Sequence, residues 1–189
     1  MTDDGLDRLY AAPLSEFVAV RNELARELRA EGRKEEADEV ASMKKPPVPV
    51  WVVNQLARRE RRDVDLLLDI GHRLRAAQGE ADPTKARQAF DSARQAEREA
   101  LTRLTKAAAA LLEEEQGTAS QAMLDRVAST LRAGAVTEEG RELLARGRLT
   151  DELTTTGFDI AAGLTPKAPP PSKRKRDGVA AARAALDEA

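Results

Sequence analysis

A long stretch without any helix breaker is the strongest constraint on the fold, and it runs from Asp82-Pro83 to residue 115. Asp followed by Pro is typical of a helix start, because the carboxylate accepts hydrogen bonds from the first backbone N–H groups and Pro lacks the N–H that would have no partner. We therefore predict one helix over residues 83–115, roughly 30 residues and about 45 Å long. Other elements then have to pack along this rod, which favours a helical bundle.

The predicted long helix carries a largely apolar face with spacings of three and four residues. This near-heptad pattern has one polar exception, Glu97, and is typical of a seam against a neighbouring helix. The partner of the seam is either another helix of the same chain or a second copy in a coiled coil. The seam consists of Phe90, Ala93, Glu97, Leu101, Leu104, Ala108 and Leu111.

The composition also favours a helical fold. Of the 189 residues, 41% are hydrophobic and 34% charged but only 3% aromatic, and the abundant Ala, Leu, Arg and Glu are strong helix formers. We predict an all-α protein, an irregular multi-helix bundle over residues 1–164. A Pro-rich basic linker over residues 165–178 follows, and then a short helical stub or disordered tail over residues 179–189. Together these two segments form a flexible basic C-terminal tail.

A proline-rich joint separates the first helices from the longer ones. Pro46, Pro47 and Pro49 forbid a continuous helix, and the helix is predicted to resume near Pro49 or Val50. Residues 49–78 then form either one helix or two, with Asp63 capping the second.

The joint also contains Trp51, the single Trp of the chain. Because Val52 and Val53 follow it, we interpret Trp51 as a core residue that packs the joint, with Asn54 one turn on either capping or bonding a neighbouring backbone. The alternative is that Trp51 anchors a partner protein, since Trp is enriched at binding hot spots.

Local signals predict several further boundaries. Thr118 with Gln121 has the form of a capping box that opens a helix, which Gly134 would end. Thr137 would cap a short helix that ends at Gly147. A helix near the N-terminus carries the apolar stripe Leu14, Phe17, Val18, Leu24, Ala25 and Leu28.

Charge is unevenly distributed, although the formal net charge is only −2. Residues 44–62 and residues 167–176 each carry a net charge of +5 in an otherwise acidic chain, a layout that attracts anionic partners. One interpretation is contact with the phosphates of DNA or RNA, and the other is ion-paired helix surface with a solubilising tail. The candidate nucleic-acid-binding residues are Lys44, Lys45, Arg58, Arg59, Arg62, Lys173, Arg174, Lys175 and Arg176.

Several chemistries lack the residues that they need. The chain has no Cys and only one His, His72, which argues against thiol catalysis and a zinc site. No Gly-rich phosphate loop and no Gly-x-Ser-x-Gly elbow occurs. The run Glu113, Glu114 and Glu115 is interpreted as solvated surface, because neighbouring residues on a helix point apart. We predict no catalytic residue, no metal, no cofactor and no small-molecule substrate.

The N-terminus is acidic and has no apolar stretch, so no signal peptide is predicted. No apolar run approaches the ~18–20 residues that span a bilayer. We expect a cytoplasmic protein without membrane contact.

Several motifs are similar to those of a known group of proteins. They are a Leu-Tyr start, a Phe-x-x-x-Arg helix, a Lys-Pro joint, the pattern Trp-x-x-Asn-x-Leu-Ala-Arg and the stretch TLRAGAVTEEGRELLARGRLT. In these motifs the chain resembles a group of uncharacterised bacterial helical proteins. The resemblance implies a helical fold and brings no function and no site residues.

These observations favour a non-enzymatic interaction or regulatory protein whose partner is another protein or a second copy of the chain. The alternative is a nucleic-acid-associated protein that uses the basic tail together with the arginines of residues 58–62.

Overall fold

The computed structural model describes residues 3–154, with side chains from residue 4 onward. This part of the chain contains helices and no strand, so the all-α prediction is confirmed. The predicted linker over residues 165–178 and the tail over residues 179–189 lie outside the described residues. In chain order the helices are α1 (Asp3–Ala11), a 3-10 turn (Leu14–Glu16), α2 (Phe17–Ala30), α3 (Lys34–Ser42), α4 (Val48–Arg59), α5 (Arg61–Gln78), α6 (Pro83–Gln116), α7 (Gln121–Val136) and α8 (Glu138–Arg146).

The long helix α6 begins and ends as its sequence predicts. The Asp82 carboxylate accepts hydrogen bonds from the backbone N–H groups of Thr84 at 2.9 Å and Lys85 at 3.3 Å. Gly117 follows the helix with a φ of 73°, a left-handed conformation that glycine adopts without a steric penalty. The predicted single helix is therefore confirmed.

The seam of α6 packs inside the chain, mainly against α5 and also against α7 and α4. Its apolar members from Ala93 to Leu111 are buried, while Phe90 is partly buried. The polar exception Glu97 is only 4% exposed. It is compensated by ion pairs with Arg94 at 2.8 Å and Arg132 at 3.5 Å, as a buried carboxylate requires.

Residues 49–78 form two helices, not one. The chain breaks at Glu60, whose φ of −114° and ψ of 42° are not helical. Asp63 is not the cap of α5, as had been predicted, but lies in its first turn. Its carboxylate accepts a hydrogen bond from Arg103 of α6 at 2.8 Å.

Two local predictions around α7 are wrong. The cap is Ser120, whose hydroxyl accepts from the Met123 N–H at 3.3 Å, and not Thr118. Gly134 does not end α7 but lies inside it, packed against Gly140 and Leu144 of α8. A glycine at a helix crossing permits the two helices to approach closely. From the sequence alone it cannot be distinguished from a glycine that ends a helix.

Helix α4 is the centre of the fold. All nine residues from 49 to 57 are buried, and the helix packs on α1, α5, α6, α7 and α8. Helices α2 and α3 form a smaller apolar cluster of their own, and α1 packs on both α2 and α4. Val18, which the sequence pattern placed in the apolar stripe of α2, is instead 40% exposed.

Candidate anion-binding groove

Three side chains of α4 donate hydrogen bonds to backbone carbonyls at the end of α1, just after α1, and after α8. Trp51 Nε1 donates to the Ala12 carbonyl at 2.9 Å, and Gln55 Nε2 donates to the Tyr10 carbonyl at 3.0 Å. Asn54 Nδ2 donates to the Leu149 carbonyl at 2.9 Å, and the Leu149 N–H donates back to Asn54 Oδ1 at 2.9 Å. These bonds attach the end of α1 and the segment after α8 to the same short stretch of α4.

Arg58, one turn beyond Asn54, continues this pattern towards the surface. Its Nη1 donates to the Gly147 carbonyl at 2.6 Å and to the Asn54 carbonyl at 3.2 Å, and its Nη2 donates to Asp7 Oδ1 at 3.2 Å. Its side chain is only 20% exposed. Burial lowers the pKa of Arg58, and the Asp7 carboxylate opposes this effect. Arg58 thus holds a positive charge in a place that disfavours it.

Arg148 brings a second guanidinium to the same carboxylate. Its Nε and Nη2 lie 3.2 and 3.0 Å from Asp7 Oδ1, and its side chain is 10% exposed. Asp7 itself lies on α1 with its side chain 55% exposed. The carboxylate of Asp7 is therefore shared by two largely buried arginines, Arg58 of α4 and Arg148 after α8.

Gly147 makes this arrangement possible. It follows α8 with a φ of 60° in the left-handed region. A Cβ added to it would lie 2.8 Å from the Asn54 carbonyl oxygen and 3.1 Å from Ala57 Cβ. Only glycine allows the chain to turn this close to α4 and carry Arg148 to Asp7.

These residues line an open groove with a volume of about 830 Å³, within the range of ordinary ligand sites. Its walls contain five arginines and two aspartates, and alanines form the rest of the lining. Arg8 is paired with Glu27 at 2.8 Å and Arg61 with Asp65 at 3.1 Å. The lining residues are Asp4, Asp7, Arg8, Ala11, Ala57, Arg58, Arg61, Ala145, Arg146 and Arg148.

Arg146 is the most available cation of the groove. It is exposed at the end of α8, and none of the acids in residues 4–154 lies within ion-pair distance of it. A guanidinium stays protonated at any ordinary pH and offers five N–H donors. At Arg146 the groove therefore presents a permanent positive charge to solvent.

Among the predicted site residues that the structure describes, only Arg58 lies in this groove. Arg59 points elsewhere and pairs with Glu114 of α6 at 3.1 Å. Arg62 is exposed on α5, and the break at Glu60 removes the one-turn relationship to Arg58 that an unbroken helix would give. Lys44 and Lys45 are exposed before the start of α4, and α4 spans about 18 Å, so they are far from its arginines.

The other predicted site residues are buried or not described. Trp51 is 4% exposed and its indole N–H is bonded inside the protein, as the core interpretation predicts. Lys173, Arg174, Lys175 and Arg176 lie outside the described residues. His72 is exposed on α5, and Glu113 and Glu114 are exposed near the end of α6.

Sequence analysis missed most of the groove. Asp7 and Arg8 come from α1, whereas Arg146 and Arg148 flank Gly147 at the end of α8. The only local signal is the Arg-Gly-Arg triplet, in which a helix-ending glycine carries a cation on either side. Nothing in the sequence indicates that residues 7 and 148 meet.

Within residues 3–154 no group of three or more His, Asp or Glu residues is arranged to hold a metal ion. In the same part of the chain, no helix has both the length and the apolar content needed to cross a membrane. No family model, curated protein or solved structure matches the chain. The resemblance to uncharacterised bacterial helical proteins therefore stays a prediction.

Proposed function

We propose that this chain is a non-enzymatic interaction protein and that its arginine-lined groove binds an acidic segment of a partner protein. The supporting observation is the pair Arg58 and Arg148, which converge on one carboxylate oxygen at 3.0–3.2 Å while their own side chains are largely buried. The chemistry already present in the groove is thus guanidinium with carboxylate. Charge-assisted bonds of this kind are stronger and more directional than neutral ones.

The depth of these two arginines also supports binding. A guanidinium is weakly hydrated and can be partly buried without losing its charge. Charges in a partly buried site are screened less by water and salt than charges on an open surface. A carboxylate entering the groove therefore gains more from Arg58 and Arg148 than from a surface arginine such as Arg59.

The shape and charge of the groove favour an acidic peptide segment over a nucleic acid duplex. Duplex binding draws its affinity from many Lys and Arg contacts along the phosphate backbone. Here the cations of residues 44–62 are divided between the two ends of α4, and Arg59 pairs with Glu114 outside the groove. The basic run at residues 173–176 is the remaining support for nucleic acid.

A titration with a fluorescein-labelled decaglutamate peptide tests the proposal. The rim variants Arg146→Gln and Arg61→Gln are expected to weaken binding about 1.5- to fivefold each, in line with roughly 0.2–1 kcal/mol for an exposed ion pair. Arg59→Gln is the matched control, since it removes the same charge from the same part of the chain outside the groove. It is expected to leave the affinity unchanged.

Two outcomes would contradict the proposal. Equal losses for all three variants would mean that the peptide responds only to net charge. The nucleic-acid alternative would be favoured if the protein bound a 20-nucleotide DNA more tightly than the peptide and this binding fell steeply with salt. The DNA binding should then also disappear when the four basic residues of the tail are all replaced by Gln, namely Lys173, Arg174, Lys175 and Arg176.

A further inference from the structure

Asp7 occupies an unusual place for a groove residue. It is the acceptor for three N–H groups, one from Arg58 and two from Arg148, and all three converge on its Oδ1. These two arginines are the least exposed cations for which the groove shows an ion pair. The position most favourable for an incoming anion is thus already held by a carboxylate of the chain itself.

The Asp7 carboxylate is also easily displaced. Its side chain is 55% exposed, and it lies on a nine-residue helix at the edge of the described fold. A rotation of this side chain into solvent breaks its bonds to both arginines and requires no movement of α4 or α8. Arg58 meanwhile keeps its bonds to the Gly147 and Asn54 carbonyls, which hold it in position.

We infer that Asp7 stands in for the partner's carboxylate, so that α1 contains an internal competitor that an acidic segment must displace to reach Arg58 and Arg148. This inference rests on the proposed function and adds a means of regulating it. The affinity for the partner is set by the difference in free energy between two similar contacts of the arginines. One is the contact with Asp7 and the other is the contact with the partner's carboxylate. Any change that neutralises Asp7 opens the site.

Asp4 provides a matched control within the same groove. It is an exposed acid on the same helix and lines the same groove. No ion pair joins it to Arg58 or Arg148 among the described residues. Asp4→Asn therefore removes one negative charge from the groove, just as Asp7→Asn does, and leaves unchanged the carboxylate that bonds Arg58 and Arg148.

The test measures decaglutamate affinity for the full-length wild type, Asp7→Asn and Asp4→Asn at the same salt concentration. Asp7→Asn is expected to raise the affinity about five- to twentyfold, and Asp4→Asn by no more than about twofold, because a directly bonded acid competes more strongly than a nearby one. Asn keeps an oxygen acceptor of the same size, and a thermal unfolding curve shows that the variant is folded. In an Arg148→Gln background the gain from Asp7→Asn is expected to shrink, because Arg58 is then the one arginine of the pair that Asp7 still blocks.

Each result decides between distinct explanations. Equal gains for the two variants, or weaker binding by Asp7→Asn, would overturn the inference and leave the proposed function standing. The second of these results would mean that Asp7 orders the arginines for the partner. Absence of peptide binding by the wild type and by every variant would overturn the proposed function and the inference together.

Discussion

Asn54 and Leu149 are 95 residues apart, yet the Asn54 side chain forms the same pair of hydrogen bonds with Leu149 that two residues of a sheet exchange. Both residues are buried, Asn54 at 0% and Leu149 at 1% exposure. A buried backbone N–H and C=O require partners, and here a helix side chain supplies both. This pairing attaches the segment after α8 to the central helix.

The Asn54 pairing makes Asn54→Ala strongly destabilising. The change leaves two buried backbone groups without partners, each costing about 1–3 kcal/mol, so the free energy of unfolding is expected to fall by roughly 2–6 kcal/mol. Urea unfolding followed by circular dichroism measures it. Asn22→Ala, an exposed position on α2, is the control and should change little. Equal effects of the two variants would mean that the Leu149 contacts contribute nothing.

Trp51 is expected to contribute both packing and a hydrogen bond. Trp51→Ala should reduce the free energy of unfolding by about 3–5 kcal/mol, as for a buried large aromatic. Trp51→Phe should cost less, about 1–3 kcal/mol, because the ring still packs while the Ala12 carbonyl loses its donor. Val18→Ala, at a 40% exposed position, provides a surface reference. An unchanged denaturant midpoint for Trp51→Ala would instead support a role in partner binding.

Gly71 marks a close crossing of α5 and α7. A Cβ there would lie 2.8 Å from the Ala135 carbonyl carbon and closer still to its oxygen. Gly71→Ala should therefore force the helices apart and destabilise the fold by about 1–3 kcal/mol or more. Gly79→Ala is the matched control, because the nearest atom to its Cβ would be 3.7 Å away. It should be neutral or stabilising by about 0.4–1 kcal/mol.

Glu36 provides a pH-dependent prediction. The pKa of Glu36 is lowered from 4.5 to about 2, and the largest cause is the pair of hydrogen bonds from Arg33 to its two carboxylate oxygens, each 2.8 Å long. A carboxyl group whose pKa is lower in the folded than in the unfolded state stabilises the fold at pH values above its unfolded-state pKa. This contribution disappears as the pH falls through the folded-state pKa. The stability advantage of the wild type over Glu36→Gln should therefore be present at pH 7 and shrink between about pH 4.5 and pH 2.

Urea midpoints of both proteins across this pH range measure the Glu36 effect. The variant Glu35→Gln, at an exposed position one residue earlier, corrects for the general effect of removing an acid. High salt should reduce the difference, because the Arg33–Glu36 pair is accessible to solvent. A difference that stays constant with pH would contradict the prediction.

The features that sequence analysis predicted correctly are local ones. The Asp82-Pro83 start, the face of α6 and the burial of Trp51 each depend on residues within one or two turns. Gly134 was assigned wrongly, since a crossing glycine and a terminal glycine differ only in what packs against them from elsewhere in the chain.

The candidate site was largely beyond prediction for the same reason. Arg58 and Arg59 are adjacent in sequence, but one contacts Asp7 and the other Glu114. Conversely, Asp7 and Arg148 are 141 residues apart and directly bonded. Clusters of charge along a sequence do not indicate which charges share a surface once a helix breaks or turns.

The contact between Asp7 and Arg148 also joins α1 to the segment that follows α8, so it links the two ends of the described chain. The groove exists only while both of these ends are docked on α4, so fraying at either end abolishes the site. By thermodynamic linkage, a ligand bound there holds the two ends together and raises the free energy of unfolding by RT ln(1 + [L]/Kd). A ligand bound in the groove thus stabilises the whole domain against unfolding. Conversely, local opening at either end lowers the population that can bind and so limits the affinity.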